Sequence, residues 1–489
     1  MHMKSVRAAL AAAAAAAATT LPKDININDI SSVRNVAGTL AWELMAWYTG
    51  NVTNTPTTIA VFPEPYYWWE AGAAWGAMLD YSHYTGDSSY DAVISQALLS
   101  QVGPKFDFMV PEHYGSEGND DQAFWAFAIL NAAERNFPQP DDSTPPWLDI
   151  AVNIWNTMVV RWNTTSCGGG LPWQIFESNP NGMDYKNSVS NGGFFQISAR
   201  LARATGNNTY LEWAQKVWDW SESVGFIDSK YNVYDGASSK NNCATVNKLS
   251  FSYAQGIYMY GAAVLYNYTD GNKTWGDRTA GLLLAADSYF SPYPNSTNIM
   301  FEHACEPYEL CNNDMKSFKG YLSRFMWAST RMMPSTLLRV QTLLNVSAVA
   351  AANACSGGEN KTVCGQKWYV GGFDGVTGLG QQLTALETVQ GLLAQNVTAP
   401  FKAGQIKHVK GVVSASPSSS SSSVVATASS TSTVQAPTSA SSTATPSLTA
   451  TPNASIKLSA AGSLYADWRL TVPLLLGSAL IMRFGYWDN

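Results

Sequence analysis

The chain is poor in charge: of 489 residues only 13% are Asp, Glu, Lys or Arg, about half the usual share. A low charge content argues against a disordered polyelectrolyte, and a net charge of −7 leaves no basic footprint for nucleic acid. Histidine is scarcer still, five in all, with His2 at the extreme N-terminus and His408 beside a Ser/Thr-rich tract. No H-E-x-x-H, C-x-x-C, phosphate-cradling glycine loop or Ser-His-Asp arrangement is present, so no metal and no cofactor is expected. Long hydrophobic runs are missing as well. The apolar stretches Ala8–Ala18 and Leu470–Met482 fall short of the about 20 residues a membrane-spanning helix needs.

What is there points outward from the cell. Lys4 and Arg7 precede the apolar Ala8–Ala18, and the small Ala16 and Ala18 precede Thr19, which reads as an export signal over 1–18. Residues 401–458 contain the Ser/Thr/Ala/Pro tract Ser414–Ala450, which cannot bury a core and reads as an O-glycosylated stalk. Over 459–489, small residues at Ser459-Ala460-Ala461-Gly462, a polar spacer and Leu470–Met482 follow the order of a glycosylphosphatidylinositol signal. The polar ending Arg483–Asn489 departs from that pattern. The expected location is the cell surface, held to the membrane through a lipid anchor alone. Export makes six cysteines legible as three disulfides. Short spans favour Cys305–Cys311 and Cys355–Cys364, which leaves Cys167–Cys243. Sequons at Asn51, Asn163, Asn207, Asn267, Asn272, Asn295, Asn345, Asn360, Asn396 and Asn453 agree with the secretory route.

Between these ends, residues 19–400 carry an internal repeat. Thr85-Gly86-Asp87, Thr205-Gly206-Asn207 and Thr269-Asp270-Gly271-Asn272 each end one helical pattern and start another. Periodicity predicts outer helices near 29–48, 88–101, 145–162, 207–222, 272–290 and 335–353. Inner helices, richer in Gly, Ala and aromatics, are predicted near 67–84, 120–134, 190–205, 250–268, 317–333 and 377–394. Six inner–outer pairs imply an all-α, closed double ring, the (α/α)6 barrel.

The candidate chemistry centres on Asp120–Asp121, between a glycine turn and an aromatic run. Adjacent carboxylates repel, and glycoside hydrolysis is a reaction that needs two of them flanking one bond. Neighbouring Cα atoms about 3.8 Å apart let the carboxyls sit roughly 5–7 Å apart, which overlaps the spacing of retaining enzymes. The structural alternative is a helix start, with Asn119 as N-cap, Gln122 completing a capping box and acids in the first turn. Tyr66–Gly72, Asn119–Trp125, Cys167–Leu171, Trp173–Phe176, Tyr185–Asn187, Ser190–Gly192 and Tyr234–Gly236 together resemble glycoside hydrolase family 76, over roughly residues 25–395. The closest likeness is to its fungal lipid-anchored, mannan endo-1,6-α-mannosidase-like members. Gly193 departs from the resemblance, which leads one to expect a cysteine there.

The resemblance implies the same barrel, with Asp120 as nucleophile and Asp121 as general acid/base of a retaining mechanism. It implies α-1,6-mannan or a mannose of the anchor glycan as donor and β-glucan as a possible acceptor, and the chain reads as a monomer. Further sugar contacts are expected from Asp235 and Glu70, and from Asn119, Tyr185, Lys186, Asn187 and Asn191 in segments leading to the mouth. Trp68, Trp69, Trp125 and Trp173 are stacking candidates. A turn acid (Asp235), a first-turn acid (Glu70) and core packing (the tryptophans) are the structural alternatives.

Overall fold

The computed structural model describes residues 20–411 except 51–54, 56, 180 and 181. The expected leader, the tract beyond 411 and the anchor signal lie outside the described residues. All described residues belong to one compact unit.

Among the described residues, twelve α-helices alternate between two layers. The outer ones are α1 (Ile30–Met45), α3 (Asp91–Ser100), α5 (Trp147–Val159), α7 (Asn208–Ser223), α9 (Lys273–Ala285) and α11 (Leu337–Ala354). The inner ones are α2 (Trp68–Thr85), α4 (Asn119–Glu134), α6 (Ser188–Thr205), α8 (Ser252–Tyr268), α10 (Phe318–Met332) and α12 (Leu379–Gln390). Each inner helix packs on the next and α12 packs on α2, so the inner ring closes. The (α/α)6 barrel and all twelve predicted helices are present.

The two layers follow from their sequences. Helix α6 buries every residue from Ser188 to Ala204, whereas α7 buries only Tyr210, Ala214, Val217, Trp218, Trp220 and Ser221. The α7 spacing is one helical stripe, as an outer helix resting on a core requires. Between α4 and α6 the approach is close: a Cβ at Gly193 would lie 2.7 Å from the Ala123 Cβ. A cysteine there would force the two helices apart, which explains the departure from the expected residue.

The repeated turns share one mechanism. Thr85, Thr205 and Thr269 each donate a hydroxyl to the carbonyl four residues back. Asp87, Asn207 and Asn272 then each accept the amide two residues on. Because every repeat turns the same way, the inner helices run parallel, with their N-termini at one end of the barrel. Loops entering that end carry a small antiparallel sheet that the sequence reading did not anticipate. It orders β1 (Tyr185–Asn187), β2 (Gly236–Ser238) and β3 (Val246–Asn247), with Asn187 opposite Gly236 and Gly236 opposite Asn247. Disulfides Cys167–Cys243, Cys305–Cys311 and Cys355–Cys364 fasten loops of the body.

Candidate active site

The N-terminus of α4 forms differently from the predicted cap. Gly118, not Asn119, is the N-cap residue, and the Asp121 Oδ2 reaches back to accept the Gly118 N–H at 2.6 Å. Asn119 cannot cap because its amide is already engaged. Its Nδ2 donates to the Pro172 carbonyl at 2.9 Å and its Oδ1 accepts from Arg161 Nε at 2.8 Å. Gln122 is likewise turned to the Asp107 carbonyl and Thr157.

Asp120 and Asp121 are both half-buried at the mouth. Asp120 accepts two hydrogen bonds, from the Asp121 N–H at 3.1 Å and from Asn187 Nδ2 at 2.9 Å. Asn187 is held for this task because its Oδ1 caps α6 by accepting the Ser190 N–H at 3.0 Å. Gly118 is the floor between the carboxylates. A Cβ there would stand 2.5 Å from Asp120 Oδ1 and 3.1 Å from Asp121 Oδ2.

The protein environment separates the two acids. Burial pushes Asp120 up to about 7, opposed by hydrogen bonds from Asn187 and the backbone and reinforced by the charge of Asp314. Burial pushes Asp121 well above the usual carboxylate range, and the charge on Asp120 pushes it further, with Glu117 and Asp314 adding to the rise. Both acids therefore hold protons more tightly than an ordinary carboxylate and titrate as one pair, with the hydrogen bonds to Asp120 favouring its carboxylate form.

Asp235 lies at the sheet edge. Its Oδ2 accepts from the Tyr185 hydroxyl at 2.6 Å and Asn247 Nδ2 at 3.0 Å, and burial raises its pKa. Tyr185, Asn187 and Asp235 are thus brought together beside Asp120. Trp173 is half-buried and its carbonyl receives the Asn119 N–H at 2.8 Å. Trp69 donates Nε1 to Asp314 Oδ1 at 3.2 Å. Glu70 is 1% exposed, caps α2 through the Tyr67 N–H, and is pushed by burial up to about 8.

Four expected sugar contacts are corrected to framework roles, because their polar atoms or faces are already used. Lys186 is buried and donates Nζ to the carbonyls of Asn163, Ser166 and Gly169 at 2.9, 2.9 and 2.5 Å. Asn191 is fully buried, pairing with both backbone groups of Leu171 and with the Asn187 carbonyl. Trp125 is fully buried against Phe108 and Trp68. Asn119 completes the set. Trp68 also faces inward, with its ring on His113 and its Nε1 on Gln101.

The sequence reading missed Asp314 and the Tyr253–Phe318 pair. The two rings stack face to face, with centroids 3.7 Å apart and planes within 4°. Tyr253, at the start of α8, lies in the fields of Asp235, Asp120 and Asp314. Asp314 opens a short 3-10 turn, Asp314–Lys316, just ahead of α10. Its signal was positional: like Glu70 and Asp121, it stands where an inner helix begins.

Comparison with known proteins agrees with this geometry. The model of the family described as Glycosyl hydrolase family 76 matches residues 32–404. Mannan endo-1,6-alpha-mannosidase DCW1 of Candida glabrata is 43% identical over 383 residues, 78% of this chain and 84% of that protein. Mannan endo-1,6-alpha-mannosidase DFG5 of Saccharomyces cerevisiae is 39% identical over 404 residues, 82% of this chain and 87% of that protein. The crystal structure of Dfg5 from Chaetomium thermophilum in complex with glucosamine superposes with a TM-score of 0.73 at 39% identity, covering 77% of this chain and 94% of that one. An inactive variant of the Salegentibacter α-1,6-mannanase GH76A, with two adjacent aspartates changed to asparagine and α-1,6-mannotriose bound, shares the fold. Its TM-score is 0.59 at 18% identity, over 74% of this chain and 99% of that one. The chain belongs to glycosyl hydrolase family 76 and is a glycoside hydrolase.

Proposed function

We propose that the chain is a retaining glycosidase or transglycosidase acting on α-1,6-linked mannose at the cell surface, where it joins anchor-bearing mannoproteins to wall glucan. The observation that carries this reading is the Asp120–Asp121 pair, two adjacent half-buried carboxyl groups at the mouth, both raised by burial and coupled to each other. Two carboxyl groups, one ionised and one protonated, are what a retaining mechanism starts from.

Asp120 attacks the anomeric carbon as the bond from that carbon to the glycosidic oxygen breaks, and Asp121 gives its proton to the departing oxygen. The result is a glycosyl ester on Asp120 and a freed hydroxyl. Asp121, now ionised, takes a proton from an incoming hydroxyl, whose oxygen displaces Asp120 from the same carbon. Water or a sugar hydroxyl serves equally in this second step. Water is present at ~55 M, so transfer to sugar requires a bound acceptor whose effective molarity exceeds that, and oriented groups reach roughly 10⁵ M or more. The bound glucosamine and mannotriose of the related proteins support a glycan in this mouth. The inactivation of an adjacent aspartate pair in the mannanase supports the assignment to Asp120 and Asp121.

The test offers purified protein an α-1,6-mannan oligosaccharide with and without a β-glucan oligosaccharide, and mass spectrometry reads the products. Donor–glucan adducts in excess of free reducing ends are expected, with none from Asp120→Asn. Hydrolysis unchanged by acceptor would make the enzyme a mannanase. No turnover of any donor would favour a glycan-binding wall protein on the same fold.

A further inference from the structure

We propose that Asp314 is a specificity-determining carboxylate of this mouth, accepting hydrogen bonds from hydroxyls of the sugar bound beside Asp120 and Asp121. The inference rests on the glycoside-processing reading above and adds a residue to it.

Asp314 has little to do in the fold itself. Its Oδ1 accepts one hydrogen bond, from Trp69 Nε1 at 3.2 Å, and no hydrogen bond among the described residues uses its Oδ2. A half-buried carboxylate with one oxygen idle is poorly solvated, and burial pushes it up to about 6. Beside it, Glu70 is 1% exposed and caps α2, so it serves the framework and its charge acts on Asp314 only through space. An idle oxygen on a half-buried carboxylate, in a mouth that also holds the reacting pair, is open to a donor from outside the protein.

The surroundings specify what kind of donor. The Tyr253 ring on Phe318 is a flat apolar wall, and Asp120, Asp235 and Asp314 all act on Tyr253. A pyranose has the matching form, an apolar face ringed by hydroxyl donors. The position of Asp314 is also rigid. The Cys305–Cys311 disulfide and the buried Glu306–Lys319 ion pair at 2.7 Å hold the approach to its turn. Asn312 Oδ1 accepts the Met315 N–H at 2.9 Å, and the Asp314 carbonyl accepts the Ser317 N–H at 2.9 Å. A sugar ligand needs such a fixed placement to discriminate between epimers.

The groups facing Asp314 are Asp120 and Asp121 from α4, Glu70 from α2, Tyr253 from α8, Tyr321 from α10 and, in its own turn, Lys316. Its charge raises both catalytic acids, so removing that charge lowers both. That shift follows from its charge alone, so the sugar contact is read from KM and from ligand affinity.

The experiment compares full-length wild type, Asp314→Asn and Asp314→Ala on an α-1,6-mannooligosaccharide, recording KM, kcat, the pH–rate profile and Tm. Both variants should raise KM about tenfold or more, the loss expected for hydrogen bonds to a charged group. Both should shift the two limbs of the profile to lower pH, with Tm unchanged or higher. A KM within twofold in folded variants would overturn the assignment wherever the limbs lie, while an inactive Asp120→Asn would leave the underlying reading standing. If wild type turns over nothing, that reading fails instead. Calorimetric binding of α-1,6-mannotriose, expected to weaken about tenfold in Asp314→Asn, then decides for Asp314; equal affinities would overturn it.

Discussion

At the C-terminal ends of the inner helices, buried carboxylates come with arginines. Asp80 on α2 pairs with Arg135 and Arg324, Glu387 on α12 pairs with Arg324, and Glu134 on α4 pairs with Arg200 at 2.7 Å. At the N-terminal ends, Glu70, Asp120, Asp121, Asp235 and Asp314 gather with no ion pair among the described residues. Both arrangements agree with the helix dipoles, which favour cations at C-termini and acids at N-termini. The difference lies in what the acids can do. A carboxylate paired with arginine has its oxygens engaged and braces the ring. Unpaired, crowded ones keep protons near neutrality and stay available for transfer.

The strongest way to break this comparison is to neutralise one acid at each end. Asp121→Asn is expected to cut kcat/KM by roughly 10²–10⁴-fold, while Tm stays close to wild type because Asn can still accept the Gly118 N–H. Full activity with lowered Tm would reverse the contrast. Arg324→Met should do the opposite, costing about 3–5 kcal/mol by leaving Glu387 buried without its partner and Asp80 with Arg135 alone. Denaturant midpoints would show the loss, and kcat per folded molecule should persist at low temperature.

Gly118→Ala sharpens the contrast at the mouth alone. Its Cβ would press on both carboxylates, so a cost of about 1–3 kcal/mol should come with a fall in activity. Activity retained with lowered stability would mean that the pair tolerates displacement.

The same contrast sets a pH dependence. Burial raises Glu70, Glu117 and Glu302 to about 8, Asp120 to about 7 and Asp314 to about 6. In the unfolded chain these groups titrate near about 4, so the folded state holds more protons. The stability they contribute is fully present below the unfolded pKa and is lost as pH rises through 6 to 8. Tm should therefore fall from pH 5 to pH 9, and Glu70→Gln should flatten the slope. A Tm that rises over this range contradicts the proton-holding mouth.

The fold was legible because helical periodicity is local and strong here. The all-round apolar character of α6 and the one-sided stripe of α7 are visible in the residues themselves. Short spans made Cys305–Cys311 and Cys355–Cys364 attractive among the fifteen connectivities of six cysteines, and the structure has both, with Cys167–Cys243. The site was legible only where chemistry marks the sequence, as at Asp120–Asp121. Lys186 and Asn191 looked like ligands because they flank the mouth, but loop backbones there need partners and these side chains supply them. Asp314 was invisible because it reaches the site through packing against Trp69, 245 residues away in sequence.

The closing segment of the described chain gives the barrel a polarity. His83 in the last turn of α2 contacts the Thr398 carbonyl at 3.1 Å, and Arg203 in the last turn of α6 grips the carbonyls of Pro400 and Phe401 at 3.0 Å each. Gln139 then exchanges backbone hydrogen bonds with Val409 and Gly411. The body therefore hands on its chain from the pole opposite Asp120.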